Sequence, residues 1–416
     1  LIKKTITLLT VVLLSTTLLT GCWNRRELNE LGIVVAAAIE KDTESDQYIL
    51  TAEIVRPAAL SKDSGGSSMT KNANELVTAQ GATLFEAIRN MSKKFDRQPF
   101  FSHTKVLVID EQVAREGITP VLHVWLNSEE IRPVLWFVIS KGVPARRILS
   151  ELHGIEGIQA NYLASIIRDH DLNSETTAVN LLDVNAALGS DTINPIAGVM
   201  ELSEAPPSSV IETNTGNGIK LLGTAVFKKD KLVGYLNGKE SRGLNWIIGK
   251  VQSGVIQVPS SKGGLVAIEI KNAEKQIRAE IKDGKYIFNI EVQEEGNIIE
   301  KQQRLDLNQL PYLNELNQQQ QYVIEEEISQ TIDKVQKEYG SDIFGFGKAL
   351  YDAYPDEWEK VKNDWPTIFP SVEYTVKVDT KIRRLGLMQK PILPKPGPEP
   401  EIGSKSRPYD FLKTDE

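Results

Sequence analysis

Cysteine is nearly missing from these 416 residues: Cys22 stands alone. One thiol excludes an internal disulfide and every Cys-rich zinc site, so packing and hydrogen bonding must hold the body together. Histidine is scarce as well. His103, His123, His153 and His170 are the four present, and none falls in an HExxH or other paired-ligand spacing. Each therefore reads as a surface or hydrogen-bonded histidine, not a metal ligand. Positive charge is in deficit, with a formal net of −8. That excludes a nucleic-acid partner, because nothing here neutralises a run of phosphates.

Catalytic spacings are missing too. No G-x-S-x-G elbow occurs. Two phosphate-loop lookalikes fail: "GLNWIIGKV" has five residues between its glycines instead of four and Val251 where a hydroxyl must meet magnesium, and "GYLNGKE" has three, then Glu240. The backbone cradle needs its own spacing to aim several N–H groups at one anion. The acidic turn "KDTESDQ" offers Asp42, Glu44 and Asp46. It lacks the EF-hand glycine and closing glutamate, so it reads as a solvated hairpin tip. Nothing in these patterns points to an enzyme.

What is present begins with Lys3 and Lys4, followed by the apolar run "ITLLTVVLLSTTLL" from Ile6 to Leu19. As a helix this run reaches about 21 Å, short of a roughly 30 Å hydrocarbon core, and it has the composition of a secretory signal. "L-T-G-C", Leu19 to Cys22, resembles the lipobox of bacterial lipoproteins. Residues 1–21 are then a removable signal peptide, and the Cys22 thiolate accepts a diacylglyceryl group, with a further N-acyl chain. Two chains, at about 0.8 kcal/mol per buried methylene, hold a membrane firmly. Cys22 is expected to be an anchor and not a catalyst, with no other cofactor, and the body to lie on the outer face of the membrane.

Beyond the anchor, "WNRRELNELG" reads as a short helix and "LGIVVAAAI" as a buried strand paired with "YILTAEIVRP". Thr83 and Glu86 have capping-box spacing before a helix whose Leu84, Ile88, Met91 and Phe95 share a face. "TKVLVID" and "RPVLWFVISKG" are strands separated by helical patterns, an α/β alternation over residues 22–203. "ELSEAPPSSVIETNTGNG" reads as a linker or excursion at 204–218. From 219 to 385 the pattern becomes α+β. "GLVAIEIK", "KQIRAEIK", "KYIFNIEV" and "NIIEKQ" read as an antiparallel meander with a hairpin at Asp283-Gly284. A long helix follows, striped by Ile324, Ile328, Ile332, Val335 and Tyr339, and it most simply packs on that meander. The tail 386–416 is too polar and Pro-rich to order itself. The fold class expected is mixed α+β and α/β, multi-lobed, with sheets packed against helices.

Several stretches together resemble one family. "GCWNRRELNELGIV", "TLFEAI", "FSHTKVLVIDEQVAREGI" and "SEEIRPVLWFV" are similar to the N-terminal half of the C-subunit lipoproteins of spore germinant receptors. "GTAVFKKDKLVGYLNGKESRGLNWIIGK" and "DIFGFGKALYDAYPDEW" are similar to their C-terminal half. Asp110 stands where that pattern has a glycine, which puts one turn in doubt. The resemblance implies a three-lobed, non-catalytic accessory subunit on the outer face of the spore inner membrane. Its partners would be the A and B integral membrane subunits, and direct germinant binding is not expected. On the matching positions, Cys22 takes the lipid. Trp23, Arg25, Arg26, Glu27 and Leu28 sit where a chain leaves the bilayer and are candidates for a partner interface. His103, Arg132, Glu240, Arg242 and Trp246 are further interface candidates, and Arg132 and Arg242 are also candidates for buried pairs with carboxylates. The alternative is a solute-binding lipoprotein, which would need a deep cleft lined by aromatics, of which the chain has only 7%.

Overall fold

The computed structural model describes residues 2–17, 27, 30–56, 74–151, 157–203, 218–261, 263–302 and 310–384. The apolar run near the start forms α1 (Ile2–Thr17). No helix among the described residues is long and apolar enough to cross a membrane. Of the helix expected over "WNRRELNELG" only Glu27, Glu30 and the first two residues of the first strand are described, and most of the 204–218 break and the tail lie outside the described residues.

The first sheet is built around β1 (Leu31–Lys41), whose Val34–Glu40 are buried without alternation, as a strand covered on both faces must be. β1 turns through the acidic tip into β2 (Tyr48–Val55) and then β3 (Asn74–Gly81), both antiparallel. The tip is a hydrogen-bonded turn in which Asp42 Oδ1 accepts from the Glu44 and Ser45 amides. Next come α2 (Leu84–Met91), capped by Thr83, the short β4 (Gln98–Phe100) beside the start of β1, and β5 (Val106–Asp110) parallel to β1. After α3 (Glu111–Glu116) and α4 (Thr119–Asn127), β6 (Trp136–Ser140) adds in parallel to β5. Asp110 serves as the N-cap of α3, its Oδ1 accepting from Gln112 N at 2.9 Å, so the departure from the family pattern is a helix cap. α5 (Ala145–Ser150), α6 (Gln159–Arg168) and α7 (Leu181–Leu188) lead to β7 (Ile196–Leu202), parallel to β6.

The sheet continues on the far side of residues 204–218. β8 (Ile219–Lys228) returns antiparallel to β7 and β9 (Lys231–Leu236) pairs with β8, so the order runs β3-β2-β1-β5-β6-β7-β8-β9. One face packs on α2, α3, α4 and α7, the other on α5 and α6.

The second sheet follows α8 (Gly238–Ile248). It contains β10 (Val255–Pro259), β11 (Leu265–Lys282) and β12 (Lys285–Lys301), all antiparallel. The four meander segments read from the sequence are two long strands, bent by bulges near Ala267 and Lys271 that let alternation lapse without ending the strand. Asp283 and Gly284 both have positive φ, 51° and 76°, as the hairpin requires. α9 (Leu310–Lys334) buries Ile324, Ile328 and Ile332 against this sheet, joined by Val335 in the wider turn that follows. After α10 (Phe346–Ala353), α11 (Pro355–Val361) and α12 (Trp365–Ile368), the last strand β13 (Glu373–Arg384) pairs parallel to β12, against the antiparallel expectation. The intervening helices are the crossover that a parallel neighbour demands. The described residues thus form two sheets.

Candidate functional site

Cys22, Trp23, Arg25, Arg26 and Leu28 lie outside the described residues. Glu27 is exposed, and the Glu30 amide donates to its carbonyl at 3.0 Å.

His103 and Arg132 come together at one end of the first sheet. His103 is exposed in the short turn before β5, its ring 6.0 Å from that of Phe100. Arg132 is exposed in the turn before β6, two residues from Val134, which is 72% exposed. The Ser102 hydroxyl donates to the Glu130 carbonyl and ties the two turns together. β1 enters from this same end at Leu31, beside Gln98. The expected buried carboxylate pair of Arg132 does not form: the residue precedes its strand and makes no ion pair with another described residue.

Glu240, Arg242 and Trp246 lie elsewhere and face inward. Asn237 and Glu240 form a capping box at the start of α8, a signal that the Asn-x-x-Glu spacing carried and that the sequence reading passed over. Glu240 also pairs with Lys334 at 2.8 Å. Arg242 is only 6% exposed, and its guanidinium grips both oxygens of Glu327 on α9, with Nε to Oε2 at 3.0 Å. Trp246, 1% exposed, donates Nε1–H to Glu327 Oε2 at 3.2 Å. Gly243 lets the helices touch, since a Cβ there would collide with the Glu327 carbonyl and Thr331 Oγ1. As interface candidates Arg242 and Trp246 are therefore corrected: burial gives them to the α8–α9 contact, and only the paired role expected of Arg242 stands.

The stretch "SDIFGFG" has an internal role too. Asp342 is buried and accepts from the amides of Phe344, Gly345, Phe346 and Gly347, and from Trp365 Nε1 at 3.0 Å. Burial raises its carboxyl above the ordinary range while these donors oppose the shift. Gly345 takes φ +79°, and a Cβ on Gly347 would lie 2.8 Å from the Thr192 carbonyl, so both glycines are demanded locally.

Concavities also open on the first sheet and its helices, and two bear on the site. One, of about 830 Å³, lies beyond the C-terminal ends of β1, β5 and β6, where the chain after β5 leaves over one face and the chain after β6 over the other. Such crevices bind ligands in many α/β sheets. Here the charges answer one another: Arg146 pairs with Glu40, Arg115 with Glu111, and Lys41 with Glu116. The other, about 890 Å³, is a groove between α2 and α4 lined by Phe85, Phe95, Val124 and Ile131 among others. Among the described residues no three His, Cys, Asp or Glu side chains converge to hold a metal.

Comparison with known proteins follows the same two-part layout. The family model described as "Spore germination protein N-terminal domain" matches residues 24–202, and "Spore germination B3/ GerAC like, C-terminal" matches residues 222–386. Spore germination protein KC of Bacillus subtilis (strain 168) is 29% identical over 393 residues, 92% of this chain and 96% of that protein. Spore germination protein B3 of the same strain is 27% identical, covering 89% of this chain and 96% of its own length. The crystal structure of the GerBC protein aligns with a TM-score of 0.52 at 22% identity, over 84% of this chain and 98% of that one, which establishes a shared fold. With both halves matched in order along nearly the whole chain, the protein belongs to the GerAC-like family of spore germination proteins.

Proposed function

We infer that this chain is the non-catalytic, lipid-anchored accessory subunit of a nutrient germinant receptor, acting beside A and B integral membrane subunits to trigger germination. The observation that carries the reading is the paired match of both family halves across residues 24–202 and 222–386. The lipid on Cys22 holds the body at the outer face of the spore inner membrane. Cys22 lies nine positions before Leu31, the first residue of β1. Nine extended residues span at most about 30 Å, so the sheet end that carries His103 and Arg132 stays near the bilayer. Such confinement raises the effective concentration of membrane partners, and a modest interface then remains occupied. His103, Arg132 and the residues after Cys22 are the side chains that this geometry offers to those partners.

Replacing Cys22 by Ala tests the anchor. The variant is expected in the soluble fraction with germination strongly reduced, and mass spectrometry of the parent is expected to find a lipidated N-terminal cysteine. A free thiol in the parent, with unchanged membrane retention in Cys22→Ala, would refute the anchor. Charge reversal at Arg132, leaving the anchor intact, is expected to weaken co-purification with the membrane subunits without releasing the chain from membranes.

A further inference from the structure

Five carboxyl side chains are buried among the described residues: Glu40, Glu53, Glu294, Glu327 and Asp342. Four have rich company. Glu40 meets the Arg146 guanidinium and amide, Glu53 the amides of Gln159 and Ala160 with the Asn74 side chain, Glu327 the Arg242 fork, and Asp342 its five donors. Glu294, 1% exposed on β12, is the exception. Its Oε2 accepts one bond, from Gln320 Nε2 on α9 at 2.6 Å, while its Oε1 and the Gln320 carbonyl have no partner. Gly296 makes room for the unpaired oxygen, since a Cβ there would lie 2.8 Å from it.

Among the described residues, no cation pairs with this carboxyl. α9 carries no Lys or Arg from Leu310 to Asp333; of its acids, Glu315 is bonded to Ser261, Glu326 to Gln330 and Glu327 to Arg242. On β13 the positions flanking the opposed Thr380 are Asp379 and Lys381, both exposed. On β11 Glu274 is exposed and Lys275 lies along Gly249. Next along β12, Glu295 is paired with Arg383. A buried ion with one amide donor and no counter-charge is costly, whereas the neutral acid fits the same space.

We propose that Glu294 is a proton-operated latch on α9: the neutral carboxyl seats the first half of the helix on the second sheet, and ionisation loosens it. Burial, with the Glu295 charge adding to it, pushes this carboxyl up to about 8. Released from the sheet it returns to the ordinary value of 4.5. The sign follows from proton counting. Between these values the seated form holds a proton that the released form has lost, so release becomes about tenfold more favourable per pH unit. Below 4.5 both forms are protonated and above about 8 both are ionised, so the dependence levels off at each end.

Hydrogen exchange of the full chain in detergent, corrected for the intrinsic pH dependence of exchange, reads this directly. Opening of residues 310–324 is expected to rise about tenfold per unit from pH 5.5 to about 8 in the parent. It should be nearly flat in Glu294→Gln, which keeps the shape without the charge. The infrared difference between parent and variant at pH 7 is expected to contain a protonated carboxyl band. An equal slope in both proteins, or no protonated band at pH 7, would overturn the latch. Where the variant folds poorly, the parent's own infrared difference between pH 7 and pH 9 decides the matter: loss of a protonated carboxyl band alongside the opening of residues 310–324 supports the latch, and no such loss overturns it.

Discussion

Arg242 and Glu327 lie 85 positions apart, yet each is nearly useless alone in a buried helix contact. A guanidinium and a carboxylate that meet bidentately offset much of their desolvation, and removing one strands the other. Arg242→Ala is therefore expected to destabilise the protein by about 3–5 kcal/mol, read as a lowered urea midpoint. Replacing both partners together, Arg242→Met with Glu327→Leu, should recover most of that loss. A double replacement as damaging as the single one would mean that the pair contributes more than charge balance. The arginine was legible in the sequence as a candidate for a buried pair, but its partner was not. Nothing local distinguishes Glu327 from Glu325 and Glu326 beside it except the face of α9 on which the helical period places it.

The elements follow local pattern wherever one face decides their burial. The isoleucine stripe of α9 and the Asp283-Gly284 turn were readable because a period and a positive φ leave marks in a few residues. Strand direction leaves none. β13 alternates as an antiparallel strand would, and only the helical crossover before it makes it parallel. The distance between α8 and α9 was equally silent, since a glycine at 243 reads as a weak helix position until the facing helix is known. Gly243→Ala should push α8 away from the Glu327 carbonyl and Thr331, at a cost of about 1–3 kcal/mol. Thermal unfolding would register it, and a stability equal to the parent would mean that the contact is looser than described. The interface candidates divided along the same line. His103 and Arg132 sit in turns ahead of strands and remain exposed, whereas Arg242 and Trp246 share the buried face of a helix.

At the scale of the whole molecule, the composition break at 204–218 coincides with the gap between the two family matches, at residues 202 and 222. The sheet disregards it. Along β8 and β9, Ala225, Phe227 and Leu232 belong to the core under α2–α4, while Val226 and Leu236 belong to the core under α9. Further bonds cross at the same place: the Ser341 hydroxyl to the Phe227 carbonyl, the Asn194 amide to the Asp342 carbonyl at 2.7 Å, and the Tyr339 hydroxyl to the Tyr235 carbonyl at 2.8 Å. A hairpin that serves as a wall of two cores transmits damage in one to the other. Phe227→Ala removes a fully buried ring from the first core and should cost about 3–5 kcal/mol. If the halves fold as one unit, native-state hydrogen exchange will show the slowest amides of β12, such as Phe288 and Ile290, losing as much protection as those of β5, such as Leu107 and Ile109. Protection lost in β5 alone would mean that the hairpin is a hinge between two independently stable halves, and a receptor subunit built that way would let its lobes move separately on the membrane.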